Sequence, residues 1–264
     1  CAGLMAVSFR EEGTAIRVFL MSSTGLSRGA AVGLERAAMT VVLILSLTGL
    51  IWPRWPALLP IAGLIFIEAL ARWHDGGQPF SEWAPMAHAP RYLAPLLVVA
   101  LTPARWGSGR ISSLRVPTCE WVLKIMLGTV FAVHGLEALH LHPGFVNLII
   151  KSGKNMLDLG ISEAAVSTQL RVIGALDLVV AAAIVLRTSP AVLAWAAFWG
   201  GVTAFSRITA DGWVAYPEVL IRTSHFLGPV ALWLLLKEQA GRSGGWPLAA
   251  AEEVPREVCS AGPV

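Results

Sequence analysis

The chain has 264 residues, of which 55% are hydrophobic and only 14% are charged. Soluble domains carry about 25% charged residues, and a surface this poor in charge would aggregate in water. The formal net charge of +3 is too small and too scattered for a nucleic-acid-binding surface. The apolar residues lie in long runs, a pattern typical of helices that face lipid. The sequence therefore predicts an integral membrane protein that resides in the lipid bilayer.

The first 36 residues contain no apolar run long enough for a membrane helix. We expect this segment to be disordered, or to lie upstream of a misassigned start, with Met5 or Met21 as the true first residue. A second interpretation is that Cys1 is the lipid-bearing residue of a processed lipoprotein. Cys1, Cys119 and Cys259 form no CxxC pair, so neither a disulfide framework nor a zinc site is predicted.

Residues 37–117 are predicted to form an N-terminal transmembrane extension. Two apolar runs of nearly bilayer length, Ala37–Trp52 and Ala57–Trp73, are separated by a tight Pro-Arg-Trp-Pro corner. A third run, Tyr92–Ala104, is short and contains Pro95. It is expected either to cross the membrane or to form a half-helix. The extension would therefore supply two or three spans.

Residues 118–236 are predicted to form a membrane domain of four helices. These spans are Thr118–Leu141, Leu170–Leu186, Ala191–Phe205 and Glu218–Leu236. Between the first two, Phe145–Ile150 is too short to cross a bilayer and is expected to lie at its interface. The tail Lys237–Val264 is rich in Gly, Pro and Glu and is expected to be disordered. The fold class predicted for the chain is all-α, a polytopic bundle with six or seven spans.

Several ionisable residues lie inside the predicted spans, where each costs about 2.5–3.5 kcal/mol if it faces lipid. We therefore expect these side chains to face the protein interior, where such groups often mark a functional site. The primary candidates for one interior polar site are His134, Glu137, Asp177, Arg222 and His225. The secondary candidates are Glu68, Lys124, His140 and Arg207.

The spacing of the primary candidates indicates how they would meet. His134 and Glu137 are three residues apart on one predicted helix, so they share a face. The same spacing recurs at Arg222 and His225, which could form an opposing wall. An ion pair between Glu137 and Arg222 would neutralise both charges, and we expect it to form.

Asp177 lies in the middle of its span and needs a partner there. We expect that partner to be Lys124 or Arg222. Gly135 has no side chain, so it should allow another backbone, or a flat ligand, to approach His134 closely.

Three functions compete with a purely structural role for this set of residues. Histidine with arginine or glutamate could polarise a quinone carbonyl and relay its protons. His134 and His225 could instead ligate a haem. The residues could also form a pathway for protons or a small solute, or an ion-pair network that only fixes helix packing. The sequence contains no Walker, HExxH or GxSxG motif.

The C-terminal half resembles the DoxX-like family of small bacterial membrane proteins. Val130–Gly135 resembles that family's hydrophobic-His-Gly motif, and Pro143–Phe145 its interfacial segment. Gly174–Asp177 lies where the family often has glycine and an acidic residue. Gly200–Arg207 and Glu218–Pro229 resemble parts of its last two helices. Residues 37–104 have no counterpart in the family's four-helix core.

The resemblance implies a membrane subunit of a quinone-linked oxidoreductase, such as thiosulfate:quinone oxidoreductase, or of a stress-related complex. It implies the bacterial inner membrane, a membrane or peripheral protein partner and no metal, and it ranks quinone above haem as the cofactor. His134 would then donate a hydrogen bond or a proton, and Arg222 would clamp an anion or a carbonyl. Glu137 and Asp177 would be charge partners. A solute or proton transporter and a non-enzymatic scaffold remain alternatives.

Overall fold

The computed structural model describes residues 1–75, 79–102 and 115–243. Over these residues the chain is helical and has no β-strand, which confirms the predicted all-α fold class. The helices are α1 (Ala2–Ser8), α2 (Ala15–Thr24), α3 (Arg28–Ile51), α4 (Trp55–Asp75), α5 (Ala84–Ala87), α6 (Ala89–Leu101), α7 (Arg115–Leu139), α8 (Pro143–Leu157), α9 (Glu163–Leu186), α10 (Pro190–Asp211), α11 (Tyr216–Ile221) and α12 (Thr223–Ser243).

Five helices of the described chain are individually long and apolar enough to cross a membrane, namely α3, α4, α7, α9 and α10. The segment containing α11 qualifies as a sixth span together with α12, from which it is bent by 42°. Helix α6 has 13 residues. At 1.5 Å per residue it is about 20 Å long, shorter than a hydrocarbon core of about 30 Å. The described part of the predicted third run Tyr92–Ala104, residues 92–102, is therefore too short for a full-length span. The described residues hold five or six candidate spans.

Large apolar side chains cover the outside of these helices. Leu50 is 82% exposed and Leu186 is 83% exposed, at the ends of α3 and α9. Val179 and Phe198, nearer the middle of α9 and α10, are 66% and 61% exposed. An apolar exterior of this kind is stable in contact with acyl chains and unstable in water, as expected for a membrane protein.

The N-terminal segment is folded, which corrects the expectation of disorder over residues 1–36. Helix α1 packs against α3 and α11, and α2 packs against α3 and α4. A buried ion pair holds them: Arg17 Nη2 lies 2.5 Å from Glu35 Oε2, and both side chains are almost fully buried. Glu35 also accepts a hydrogen bond from the Thr14 backbone N–H at 2.6 Å. The partner of Arg17 lies on another helix, so the pattern of residues 1–24 alone could not reveal this order.

Helix α6 joins the two halves of the bundle, because it packs against α4 on one side and α7 on the other. Leu97 belongs to the C-terminal core, around Leu127, Leu193 and Leu232. Tyr92 packs against both this core and the N-terminal one. The predicted boundary between extension and core therefore corresponds to a packed interface.

At the C-terminus, α12 continues through Lys237 to Ser243. The first part of the tail that was expected to be disordered is therefore helical. The remainder of that tail, residues 244–264, lies outside the described residues.

Candidate functional site

A cavity of about 400 Å³ lies between α7, α8, α9, α10 and the break that separates α11 from α12. This volume falls within the range of roughly 300–1,000 Å³ for small-molecule sites. Its walls are mostly apolar, and include Phe131, Phe145, Ile149, Leu170, Ile173 and Val202. Four of the five primary candidates and one secondary candidate line it: His134, Asp177, Arg207, Arg222 and His225.

Two glycines bring α7 and α9 into backbone contact beside this cavity. A Cβ atom added to Gly135 would lie 2.9 Å from the Gly174 carbonyl oxygen, and one added to Gly174 would lie 2.6 Å from that of Gly135. The prediction that Gly135 allows close approach is therefore confirmed. Asp177 follows Gly174 by less than one turn, and its Cβ packs 3.2 Å from the position of a Gly135 Cβ. The contact places His134 and Asp177 at the same cavity.

The His134 ring is held by Glu137. The Nδ1 atom of His134 lies 2.8 Å from a carboxylate oxygen of Glu137. Glu137 is buried but does not line the cavity, so it acts on the site through His134. When Nδ1–H of a neutral imidazole donates to a carboxylate, Nε2 remains an acceptor. The ring also contacts His225, with centroids 5.4 Å apart, and the Phe145 ring at 5.9 Å.

His225 is a buried side chain with an unsatisfied polar atom. It is 5% exposed, and its Nε2 has no hydrogen-bond partner among the described residues. A buried polar atom without a partner costs about 1–3 kcal/mol, and native proteins contain few of them. Because His225 lines the cavity, a bound molecule could supply the missing partner.

Asp177 is paired with neither of its expected partners. It is 6% exposed, and the indole N–H of Trp199 donates a hydrogen bond to its side chain. Lys124 instead pairs with Glu120, one turn away on α7, at 2.5 Å. Trp199, which was not among the candidates from the sequence, is therefore part of the site. Trp199 lies one turn before Thr203 on the same cavity wall, and no pattern in the sequence indicated that it faces the cavity.

Arg222 is paired with Glu218, which corrects the expected pair with Glu137. Its guanidinium donates to the Glu218 carboxylate and, at 3.1 Å, to the Glu218 backbone carbonyl. A partner four residues away is reached at a lower entropic cost than one on another helix. The spacing of Glu218 and Arg222 could have revealed this pair. Glu137 pairs with His134 instead.

Glu68 and His140 lie outside the cavity lining. Glu68, on α4, pairs with Arg72 at 2.6 Å, and its other carboxylate oxygen is 3.4 Å from His88 Nδ1. His140 is exposed at the end of α7, with Nδ1 2.8 Å from the Leu136 carbonyl oxygen. The structure thus brings Arg207 into the site but separates Lys124, Glu68 and His140 from it.

Two basic residues, buried His88 and half-buried Arg91, lie at the start of α6. Burial, and secondly the charge of Arg91, lower the pKa of His88 to about 3. Burial, and secondly the neighbouring Arg222 guanidinium, lower the pKa of Arg91 to about 9. At neutral pH His88 is therefore neutral and Arg91 is charged. Arg91 was not a sequence candidate, because it precedes the apolar run of its helix.

Helix α8 forms the outer wall of the cavity. It was predicted only as the interfacial stretch Phe145–Ile150, but it extends over 15 residues. Its polar side bonds to α10: Ser152 Oγ lies 2.7 Å from Thr209 Oγ1, and Asn155 Nδ2 donates to the Ala210 carbonyl at 2.7 Å. These hydroxyl and amide groups, which sequence analysis missed, fix α8 over the site.

Comparison of the chain with family models, curated proteins and solved structures finds no match. The resemblance to the DoxX-like family therefore stays a prediction. Across the described ranges, no group of three or more His, Cys, Asp or Glu side chains is placed to hold a metal ion. The arrangement is that of an apolar cavity with histidine, arginine and aspartate in its lining. Such a site can hold a molecule that has an apolar body and polar oxygen atoms.

Proposed function

We propose that this chain is the membrane subunit of a quinone-linked oxidoreductase or stress-related complex of the bacterial inner membrane, and that its cavity binds the quinone. The observation that carries the proposal is the unsatisfied Nε2 atom of buried His225 in a largely apolar cavity. A quinone fits this arrangement, since its carbonyl oxygen accepts a hydrogen bond and its ring and tail are apolar. In such a complex the partner protein would supply electrons.

The chain's own residues would orient the ring and handle protons. His225 would donate from Nε2 to one carbonyl oxygen. His134 would relay a proton within the cavity, with its ring held by the Glu137 carboxylate 2.8 Å from Nδ1. Haem ligation by the two histidines, whose ring centroids are 5.4 Å apart, is the alternative, and a Soret band in the purified protein would establish it.

A second candidate function is proton or solute transport. It is favoured by Asp177, a buried carboxyl group within a membrane span whose one side-chain partner among the described residues is the neutral Trp199. Buried carboxyl groups of this kind occur in proton relays. Proton flux into liposomes that Asp177→Asn abolishes would favour this function, and unchanged flux would exclude it.

Quinone binding tests the main proposal directly. The purified protein in mild detergent is titrated with a short-chain quinone, and co-purified quinone is quantified by mass spectrometry. We expect His225→Phe to weaken binding about tenfold, the equivalent of 1.4 kcal/mol, as for one buried hydrogen bond. His140→Phe is the matched control, because His140 is exposed and outside the cavity lining. Equal affinity of wild type and His225→Phe would overturn the proposal.

A further inference from the structure

A cluster of charged side chains lies beside the cavity, on α4, α6 and α10 and at the end of α11. Its members, named for the rest of this section as the arginine cluster, are Arg72, Arg91, Arg207, Arg222, Glu68 and Glu218, and their charges act on one another. Glu137 is also near Arg207. Even when Glu137 is counted, four positive charges face three negative ones. The cluster therefore has an excess of positive charge inside the bundle.

Two of the four arginines have no carboxylate partner. Arg72 pairs with Glu68 and Arg222 with Glu218. Arg91 and Arg207, by contrast, form no ion pair with any described residue. The Nε atom of each is buried and has no hydrogen-bond partner in the described part of the chain. Asp211, which is near Arg207, is already paired with Lys151 at 2.8 Å.

Arg91 and Arg207 are half-buried, and each has a buried Nε atom without a partner among the described residues. A buried polar atom of this kind costs about 1–3 kcal/mol, and Arg91 in addition faces the like charge of Arg222. The planar guanidinium matches phosphate with two parallel hydrogen bonds, which makes arginine the side chain suited to oxyanions. Arg222 is near both Arg91 and Arg207, so an oxyanion bound beside Arg222 would accept hydrogen bonds from their Nε groups and offset the excess charge.

The location of the cluster favours an anion that belongs to a lipid. Arg72 keeps 44% of its side chain exposed, so the cluster reaches the protein surface. It lies near the ends of α4 and α10, two of the candidate spans. The ends of membrane helices lie at the depth of the headgroups, where lipid phosphates are concentrated.

We propose that Arg91, Arg207 and Arg222 bind a phosphate group, presented by an anionic phospholipid from the headgroup layer. The phosphate site rests on arginines and not on His225, so it can be tested without quinone. Arg207 and Arg222 both line the cavity, so a bound phosphate would also fix one wall of the cavity.

The test compares the protein in nanodiscs of phosphatidylcholine alone, with added phosphatidylglycerol, and with added inorganic phosphate. For the wild type, phosphatidylglycerol should raise Tm by at least about 3 °C, as expected for a ligand that binds only the folded state. Native mass spectrometry should find that lipid retained. The double variant Arg91→Gln/Arg207→Gln should lose both effects. Arg171→Gln is the matched control, because it removes one positive charge from an exposed position of α9 that does not line the cavity.

The order of Tm between wild type and variant, compared in two lipid compositions, separates anion binding from general damage to the fold. In phosphatidylcholine alone, Arg207→Gln should have a higher Tm than the wild type, because it removes an uncompensated charge. In the presence of phosphatidylglycerol that order should reverse. If Arg207→Gln does not fold, the single variant Arg91→Gln takes its place, and its response to phosphatidylglycerol is compared with that of Arg171→Gln.

The outcomes distinguish the source of the phosphate. A rise in Tm with inorganic phosphate alone, lost in the double variant, would support the phosphate site and overturn the lipid source. An equal response to phosphatidylglycerol in wild type, double variant and Arg171→Gln would overturn the site itself. Because neither readout involves quinone, the failure of this proposal is distinguishable from failure of the quinone proposal.

Discussion

The buried polar side chains of this protein fall into two groups, according to whether other protein groups satisfy their hydrogen bonds. Arg17 and Glu35 meet each other and backbone groups in a closed set of hydrogen bonds. His225, Arg91 and Arg207 each retain a buried nitrogen with no partner among the described residues. The first group explains how the N-terminus is held. The second marks where a ligand would change the energetics most.

His88 makes stability depend on pH. Its pKa is about 3 in the folded protein, mainly because of burial, against an ordinary value of 6.5. Between these values the unfolded chain binds a proton that the folded chain does not, so the free energy of unfolding falls as pH drops below 6.5. At pH 5 the loss from this group alone is about 2 kcal/mol.

We expect Tm to decrease between pH 7.5 and pH 5, and to decrease less in His88→Gln, which cannot titrate in this range. Thermal unfolding in nanodiscs at several pH values measures this slope. His74→Gln is the control, because that histidine is exposed. An identical slope in wild type and His88→Gln would refute the burial of His88.

At the scale of elements, the packing of α10 on α12 depends on one glycine of an adjacent pair. A Cβ atom on Gly200 would lie 2.6 Å from the His225 carbonyl oxygen, whereas one on Gly201 would have no neighbour within 4 Å. We expect Gly200→Ala to lower stability by about 1–3 kcal/mol, because the two helices must separate, and to weaken quinone binding. Gly201→Ala should be neutral or slightly stabilising, because alanine favours helix. Similar Tm values for the two variants would contradict this packing.

The docking of α1 and α2 depends on the ion pair between Arg17 and Glu35. Removing one partner of a buried pair leaves an uncompensated charge and costs about 3–5 kcal/mol. We therefore expect Glu35→Gln to accelerate amide hydrogen exchange throughout residues 2–24. Glu11→Gln, which removes an exposed pair with Arg28, should leave exchange unchanged. Protection of residues 2–24 that survives Glu35→Gln would show that apolar contacts alone hold the segment.

Sequence patterns predicted the long helices. They missed the short helices and the contacts made between helices, for physical reasons. The long membrane helices can be recognised from their apolar runs, because membrane insertion requires about 20 consecutive apolar residues. These helices are α3, α4, α7, α9 and α10. The order of α1 and α2 depends instead on Glu35 of another helix. At the site, clustering of His134, Asp177 and His225 followed from the cost of burying them. Their partners did not follow, because relative depth and rotation of helices are set by contacts such as that between Gly135 and Gly174.

On the scale of the whole molecule, the two halves of the chain contribute different parts of one polar region. The C-terminal half supplies the cavity walls and His134 and His225. The N-terminal half supplies Arg91, through α6, which packs between α4 and α7. The predicted N-terminal extension is thus packed against helices of the membrane domain that carry the site. We infer that it completes the polar region rather than standing apart from it.

Photo-crosslinking can locate a quinone in the proposed cavity between α7, α8 and α10. The protein in native membranes is irradiated with a photoreactive quinone, and the labelled peptides are mapped by mass spectrometry. We expect label within residues 130–152 and 199–209, removed by excess unlabelled quinone and reduced in His225→Phe. Label confined to the lipid-facing side chains, such as Val179 and Phe198, and unaffected by His225→Phe would contradict this expectation.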